Sequence, residues 1–197
     1  MEVDLGESRG LRGLEDADAE ELFALIDSNR THLAHWMPFV GQTRGVVDSL
    51  AFIRAARRQF EENRGMQLAV TADERIIGVV GFHAIDWNRR STSIGYWLAA
   101  DAQGTGTMTA AVTALPDYAF DRWKLARVEI RAGVTNTRSR AVPERLGFTD
   151  EGVLPAAERI GTRVIDHVIY ATTRAEWEPL SASSSRDALS SRDALRA

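Results

Sequence analysis

The chain has 197 residues, 44% hydrophobic and 26% charged, with 15 Gly and 5 Pro. This is the composition of an ordinary globular protein, and it excludes a collagen-like, mucin-like or wholly disordered chain. No cysteine is present, so disulfides, thiolate zinc sites and a cysteine nucleophile are excluded too, while a net charge of −4 offers no general attraction to nucleic acid.

The first residues, MEVDLGESRG, carry neither a basic region nor an apolar one, and no apolar stretch approaches the length of a membrane span. No signal peptide or membrane partner is therefore expected, and the cytoplasm is the default location. Residues 10–15 read as a first strand, and Asp16 offers an N-cap to a helix over 17–26, where Leu22, Phe23, Leu25 and Ile26 repeat at helical spacing. A helix hairpin is expected to follow. Residues 28–45 are rich in turn formers yet carry His35, Trp36, Met37, Pro38 and Phe39, an apolar run that suggests a cover, before a second helix over 46–63. From Met66 the period changes, and 67–71, 75–85 and 93–99 read as three consecutive antiparallel strands.

A turn at 103–107 then opens a long helical segment to about Trp123. It is followed by a strand over 127–132, a short helix over 137–145 and strands over 150–160 and 164–172. The fold class expected is mixed α/β. Pro116 lies inside the long helix, where it removes a hydrogen bond and clashes with an earlier carbonyl at a cost of about 3 kcal/mol, so a kink is expected over 112–115. The domain is read as residues 1–178. A low-complexity tail at 179–197 follows, in which Ser-Ser-Arg-Asp-Ala-Leu occurs at 184–189 and again at 190–195.

The most informative segment is Ile94-Gly95-Tyr96-Trp97-Leu98 followed by Gln103-Gly104-Thr105-Gly106 and a helix. A strand that passes through a glycine-rich turn into a helix N-terminus aims unpaired N–H groups and the positive end of the helix dipole at one point, which suits a pyrophosphate. An ordinary tight turn is the plain alternative. A P-loop would need a lysine before Thr107, and a dinucleotide fold would need a third glycine where Thr109 stands. Paired metal-ligand spacing is absent, so no metal is expected.

Gln103-Gly104-Thr105-Gly106-Thr107-Met108 resembles the Gln/Arg-x-x-Gly-x-Gly/Ala acyl-CoA signature of the Gcn5-related N-acetyltransferase superfamily, except at its last position. Asn136 to Phe148 is similar to the Asn-x-x-Ser…Leu-Gly-Phe segment of the same superfamily. With the run His35 to Pro38 and the end Asp166 to Tyr170, the resemblance covers about residues 10–177, and it is strongest to the branch that acetylates ribosomal-protein N-termini.

That resemblance implies a mainly antiparallel sheet whose central strands splay after Trp97 and Leu98 to admit the pantetheine of acetyl-CoA. It implies a cofactor set of Trp97, Leu98, Gln103, Gly104, Thr105, Gly106, Thr107, Met108, Thr109, Asn136 and Arg140. Asn136 alternatively caps the helix that starts at Thr137. Thr105 and Thr107 stand where relatives often carry a basic and an aliphatic residue, so backbone amides are expected to hold the phosphates alone. The tyrosine that many relatives use as acid falls at Pro143; the branch resembled places a serine one turn earlier near the sulfur, so Ser139 is the implied proton donor to the thiolate, with a helix-surface serine as the plain alternative. Glu158 is the implied base, with an ion pair to Arg159 as the plain alternative. His35, Trp36, Met37, His83 and Tyr170 are the implied acceptor-side residues, although His83 and Tyr170 also suit structural roles. The acceptor is a protein N-terminus or a small amine such as a polyamine, and a homodimer is allowed. A rival reading is an acyl-CoA-binding module without turnover, and a weaker one is a dinucleotide oxidoreductase.

Overall fold

The computed structural model describes residues 1–177. The tail expected at 179–197 and the last residue of the domain expected at 1–178 lie outside the described residues. Eight strands form one sheet in the order β1-β2-β3-β4-β5-β6-β8-β7. They are β1 (Val3–Gly6), β2 (Arg9–Gly13), β3 (Met66–Ala72), β4 (Arg75–Phe82), β5 (Ser91–Leu98), β6 (Arg127–Gly133), β7 (Thr149–Ile160) and β8 (Arg163–Thr173). All neighbours are antiparallel except β5 and β6. The mixed, mainly antiparallel fold agrees with the class expected.

Helices cover both faces because the central strands are apolar on both. From β3, Leu68 and Val70 join one buried cluster and Ala69 the other; from β4, Val80 and Phe82 go one way and Ile76 and Val79 the other. The second cluster is closed by Leu22 and Ile26 of α1 (Ala19–Ser28) and Ile53 of α3 (Val46–Glu61). The larger one is closed by Met108 and Val112 of α4 (Thr107–Thr113), Phe120 of α5 (Pro116–Asp121) and Val142 of α6 (Thr137–Arg145). Each fully buried side chain of this size contributes about 1.5–3 kcal/mol.

Four local expectations change. Asp18 rather than Asp16 organises the start of α1: its carboxylate accepts from the Glu15 N–H at 2.8 Å and from Arg12 at 2.7 and 2.8 Å, and the Arg12 guanidinium holds its pKa below the usual range. The first strand is preceded by β1, a short edge strand half made of exposed positions, joined to β2 through Glu7 and Ser8, both at positive φ. Instead of a helix hairpin, the four-residue α2 (Arg30–Leu33) and a 3₁₀ turn at Pro38–Gly41 carry the chain to α3. The kink expected at Pro116 is a full break: α4 ends at Thr113 and Pro116 is the first residue of α5. There its missing N–H costs nothing.

The feature that positions the site is the partial ladder between β5 and β6. These strands pair only from Ser91 with Arg127 to Ile94 with Ile130. Beyond that point β5 stays paired with β4 up to Leu98, and β6 with β8 up to Gly133. The strands therefore part after Ile94, not after Trp97 and Leu98 as expected, because each follows its outer neighbour and no ladder remains between them.

Candidate active site

Two cavities open on the gap. One, of about 1050 Å³, is lined by the end of β5, the loop 103–109, His32 of α2 and the first turns of α6. Gly104 and Gly106 both sit at φ +80°, and a Cβ added to either would meet nothing within 4 Å. The loop thus takes a left-handed path that favours glycine and leaves its open side free. Gln103, Gly104, Thr105, Gly106, Thr107, Met108 and Thr109 all line this cleft, as do Trp97 and Leu98. Thr107 is buried and its Oγ1 is occupied, 2.8 Å from Thr105 Oγ1 and 3.1 Å from Arg9 Nη1. Met108 gives most of its side chain to the core.

Positive charge at this loop is not lost. Arg138 of α6 donates to Gln103 Oε1 at 2.9 Å, and Arg145 to Thr109 Oγ1 at 3.4 Å; both line the cleft. Arg9 donates to the Thr105 carbonyl at 3.2 Å from behind the loop. The expectation that amides act alone overlooked these groups, since they come from β2 and α6 rather than from the loop. Gln103 also lies 2.7 Å from His32 Nε2, which ties α2 to the same rim.

The second cavity, of about 780 Å³, lies between α1, α3, the run 36–43 and the β7–β8 hairpin. Trp36, Met37, Phe39, Phe52 and Trp97 form apolar walls, and Gln42, Asp48, His83, Arg131, Glu158 and His167 supply polarity. Glu158 Oε2 lies 3.4 Å from His167 Nε2, so its partner is this histidine of β8 and not the adjacent Arg159. His83 Nδ1 is 3.0 Å from Ser93 Oγ. Its ring lies across Gly95, where a Cβ would come 2.5 Å from His83 Cε1, so a larger residue there would displace the imidazole. His83 opens toward the cavity, yet the protein around it and the Arg131 guanidinium lower its pKa, which leaves it neutral at pH 7.

Trp36, Met37, Tyr96, Trp97, Asn136 and Ser139 line both cavities. Asn136 caps α6, its Oδ1 accepting from the Ser139 N–H at 3.2 Å, and it still borders the junction. Tyr96 donates its hydroxyl to the Ser139 carbonyl at 2.8 Å, and Ser139 Oγ lies 3.4 Å from the same phenolic oxygen. Burial pushes the Tyr96 phenol well above its ordinary pKa.

Three expected site residues lie elsewhere. Arg140 lines neither cavity: it donates to Tyr170 Oη at 2.8 Å and to the Val134 carbonyl at 3.1 Å, on the side of α6 away from the cleft. Tyr170 is buried, and its hydroxyl donates to Glu144 Oε1 at 2.6 Å, which makes it a core anchor and not a channel residue. His35 is exposed; its ring meets Trp36 edge-on at 4.5 Å, and its carbonyl accepts from Arg163 at 2.5 Å. Sequence reasoning missed Tyr96, His32, Phe52, Arg138 and Arg145 as lining residues, and it gave His167, a titratable candidate, and Phe39, part of the apolar run, no role in the site. Of the missed residues, Tyr96 stood inside the quoted strand motif, and Arg138 and Arg145 inside the quoted helix motif.

A sheet parted at one parallel pair, with a glycine loop and guanidinium groups on one side and an aromatic-walled cavity on the other, defines a protein that joins a phosphorylated donor to a second substrate. Residues 9–149 match the family described as the acetyltransferase (GNAT) domain. The chain belongs to that family: it is an N-acetyltransferase whose acetyl donor is acetyl-CoA.

YdaF of Bacillus subtilis, provisionally named a ribosomal N-acetyltransferase, is 36% identical over 85% of this chain and 92% of its own length. The ribosomal-protein-serine acetyltransferase of Escherichia coli is 27% identical over 86% of this chain and 94% of its own. Among more distant relatives is a spermidine N(1)-acetyltransferase of Vibrio cholerae, 24% identical over 73% of this chain and 80% of its own. Among solved structures, the Microcin C7 self-immunity acetyltransferase MccE, in complex with acetyl-CoA and AMP, superposes with a TM-score of 0.80. It is 30% identical, over 86% of this chain and 94% of that one. Among the described residues, no group of three or more His, Asp or Glu is placed to hold a metal, and no helix is long and apolar enough to cross a membrane.

Proposed function

We propose that the chain moves an acetyl group from acetyl-CoA directly to the α-amine of a protein N-terminus, of the ribosomal-protein type. The observation that carries this reading is the meeting of the two cavities at Ser139 and Asn136, with Glu158 lining the acceptor side. The chain has no cysteine to carry an acyl group between them, so transfer is direct within one complex. In this reading the loop 103–109, with Arg138 and Arg145, holds the phosphates. The unpaired edges of β5 and β6 beyond Ile94 offer backbone groups to the pantetheine arm. Acetyl-CoA, when bound, supplies an activated thioester.

The rest falls to side chains. Glu158, oriented by His167, takes the proton from the amine directly or through a water, and Ser139 gives one at the departing sulfur. An α-amine has a reference pKa of about 7.7–8.0 against about 10.4 for lysine, so a single carboxylate suffices for an N-terminal acceptor.

A polycation suits the acceptor cavity less well. Of its carboxylates, Asp48 already accepts from the Arg44 and Gly45 N–H groups at 2.8 and 3.0 Å, Glu158 is beside His167, and Arg131 shares the wall. One amine followed by an uncharged chain against Phe39, Phe52 and Trp97 fits that surface better. Thiol release from acetyl-CoA, measured against N-terminal peptides, spermidine and amino sugars, tests the proposal. Turnover with peptides is the expected result; turnover with spermidine alone overturns the acceptor, and no turnover with any amine leaves an acyl-CoA-binding module.

A further inference from the structure

Pro143 interrupts α6 chemically without interrupting it geometrically. The helix runs unbroken from Thr137 to Arg145, yet a proline has no N–H, so the carbonyl four residues earlier, that of Ser139, has no helical donor. A carbonyl left unpaired in a half-buried setting is costly. Its partner comes from the opposite wall of the gap. Tyr96, on the part of β5 that has no ladder to β6, donates its hydroxyl to the Ser139 carbonyl at 2.8 Å, and the Ser139 hydroxyl turns back to the same phenolic oxygen at 3.4 Å. The Ser139 N–H is held by Asn136 Oδ1 at 3.2 Å. Every polar group of Ser139 is thus tied, and two of the three ties run to Tyr96. Both residues line both cavities.

We propose that Tyr96 is a positioning residue of the acetyl transfer: its hydroxyl stands in for the amide hydrogen that Pro143 lacks, and so sets the Ser139 hydroxyl at the meeting point of the two cavities. The inference rests on Ser139 acting at the sulfur as proposed above. Tyr96 bridges β5 to α6 where the sheet itself supplies no hydrogen bonds, so loss of one hydroxyl frees both the carbonyl and the Oγ of Ser139. Burial keeps the phenol protonated at every working pH, and it remains a donor throughout.

The test is steady-state kinetics and thermal melting of Tyr96→Phe, Ser139→Ala, Pro143→Ala and the doubles Tyr96→Phe/Ser139→Ala and Tyr96→Phe/Pro143→Ala, with acetyl-CoA and one N-terminal peptide. Tyr96→Phe keeps the ring and is expected to lower kcat roughly 10- to 100-fold, the scale of a misplacement of about 1 Å, with the KM for acetyl-CoA moved less than about threefold. In the Ser139→Ala background the same change is expected to add less than about twofold, because the group it positions is gone. In the Pro143→Ala background a backbone N–H again reaches the Ser139 carbonyl, and the loss is expected to shrink below about threefold.

A purely architectural tie would lower the melting temperature and leave kcat intact, and that result overturns the inference. Full multiplication of the Tyr96→Phe and Ser139→Ala losses overturns it as well. Wild-type kcat in Ser139→Ala refutes the role of Ser139 itself and takes this inference with it, whereas wild-type kcat in Tyr96→Phe beside a depressed Ser139→Ala refutes the inference alone. Where Pro143→Ala does not fold, the cycle with Ser139→Ala decides by itself.

Discussion

The two cavities that meet at Ser139 are built from different material. On the donor side, the lining centres on one contiguous loop with two left-handed glycines, set between the end of β5 and the first turns of α6, and includes Arg138 and Arg145. On the acceptor side, the lining residues are drawn from α1, α3, the run 36–43, β4 to β6 and the β7–β8 hairpin, segments far apart along the chain. A cleft centred on one glycine loop is sensitive to main-chain conformation. A cavity assembled from distant segments hangs instead on single side chains such as Glu158.

That contrast can be broken in four ways, starting with the largest effect. Glu158→Gln removes the proposed base on the acceptor side, and kcat/KM is expected to fall by about 10²-fold near pH 6, where few α-amines are neutral. The deficit is expected to shrink as pH rises past the acceptor's own pKa, and a pH-independent loss in the rate profile would point to positioning in place of proton removal. Gly106→Val probes the donor side through its main chain. At φ +80° a β-branched residue is strained and its side chain projects into the open cleft, so CoA affinity by calorimetry is expected to fall by about 10-fold or more. Unchanged affinity would move the phosphates elsewhere.

Arg138→Ala and Arg145→Ala sharpen the comparison by asking how much of the donor site is side chain after all. Each is expected to weaken CoA by up to about tenfold, with a shallower dependence on salt than the wild type shows. Losses below twofold in both would leave the amides as the sole phosphate ligands.

The smallest effect concerns stability on the acceptor side. His83 has a pKa lowered in the fold, so the unfolded chain binds its proton more readily, and stability is expected to fall as pH drops below about 6.5, the ordinary histidine value. His83→Gln removes the titrating group, and its melting temperature is expected to fall less between pH 7 and pH 5.5 than that of the wild type. An identical decline in both would place the acid sensitivity elsewhere.

The donor side was legible in the sequence because a loop and the helix it feeds are neighbours along the chain. Gln103 to Thr109, Asn136 and Ser139, the residues singled out in the two motifs, line the cleft. The acceptor side was read less well. His35 and Tyr170 belong to residue types that fit a channel, but one faces solvent and the other is buried in the core, its hydroxyl bonded to Glu144 and Arg140. The family resemblance placed Arg140 in the cofactor set, whereas the helical turn sends its side chain and that of Ser139 to different sides of α6.

What the sequence by itself determined is local: the period of each strand and helix, the left-handed glycines of the loop, and the absence of any thiol to form an acyl-enzyme. It also determined that Pro143 carries no N–H, which orphans the Ser139 carbonyl in any helix spanning those residues. Only the tertiary structure decided that Tyr96, 43 residues away in the chain, fills that vacancy, that Glu158 meets His167, and that the sheet parts after Ile94 rather than four residues later. The physical reason is that each of these contacts joins segments with no shared local periodicity. Their positions follow from which outer neighbour each strand keeps as its hydrogen-bonding partner, a choice made by the packing of the whole sheet.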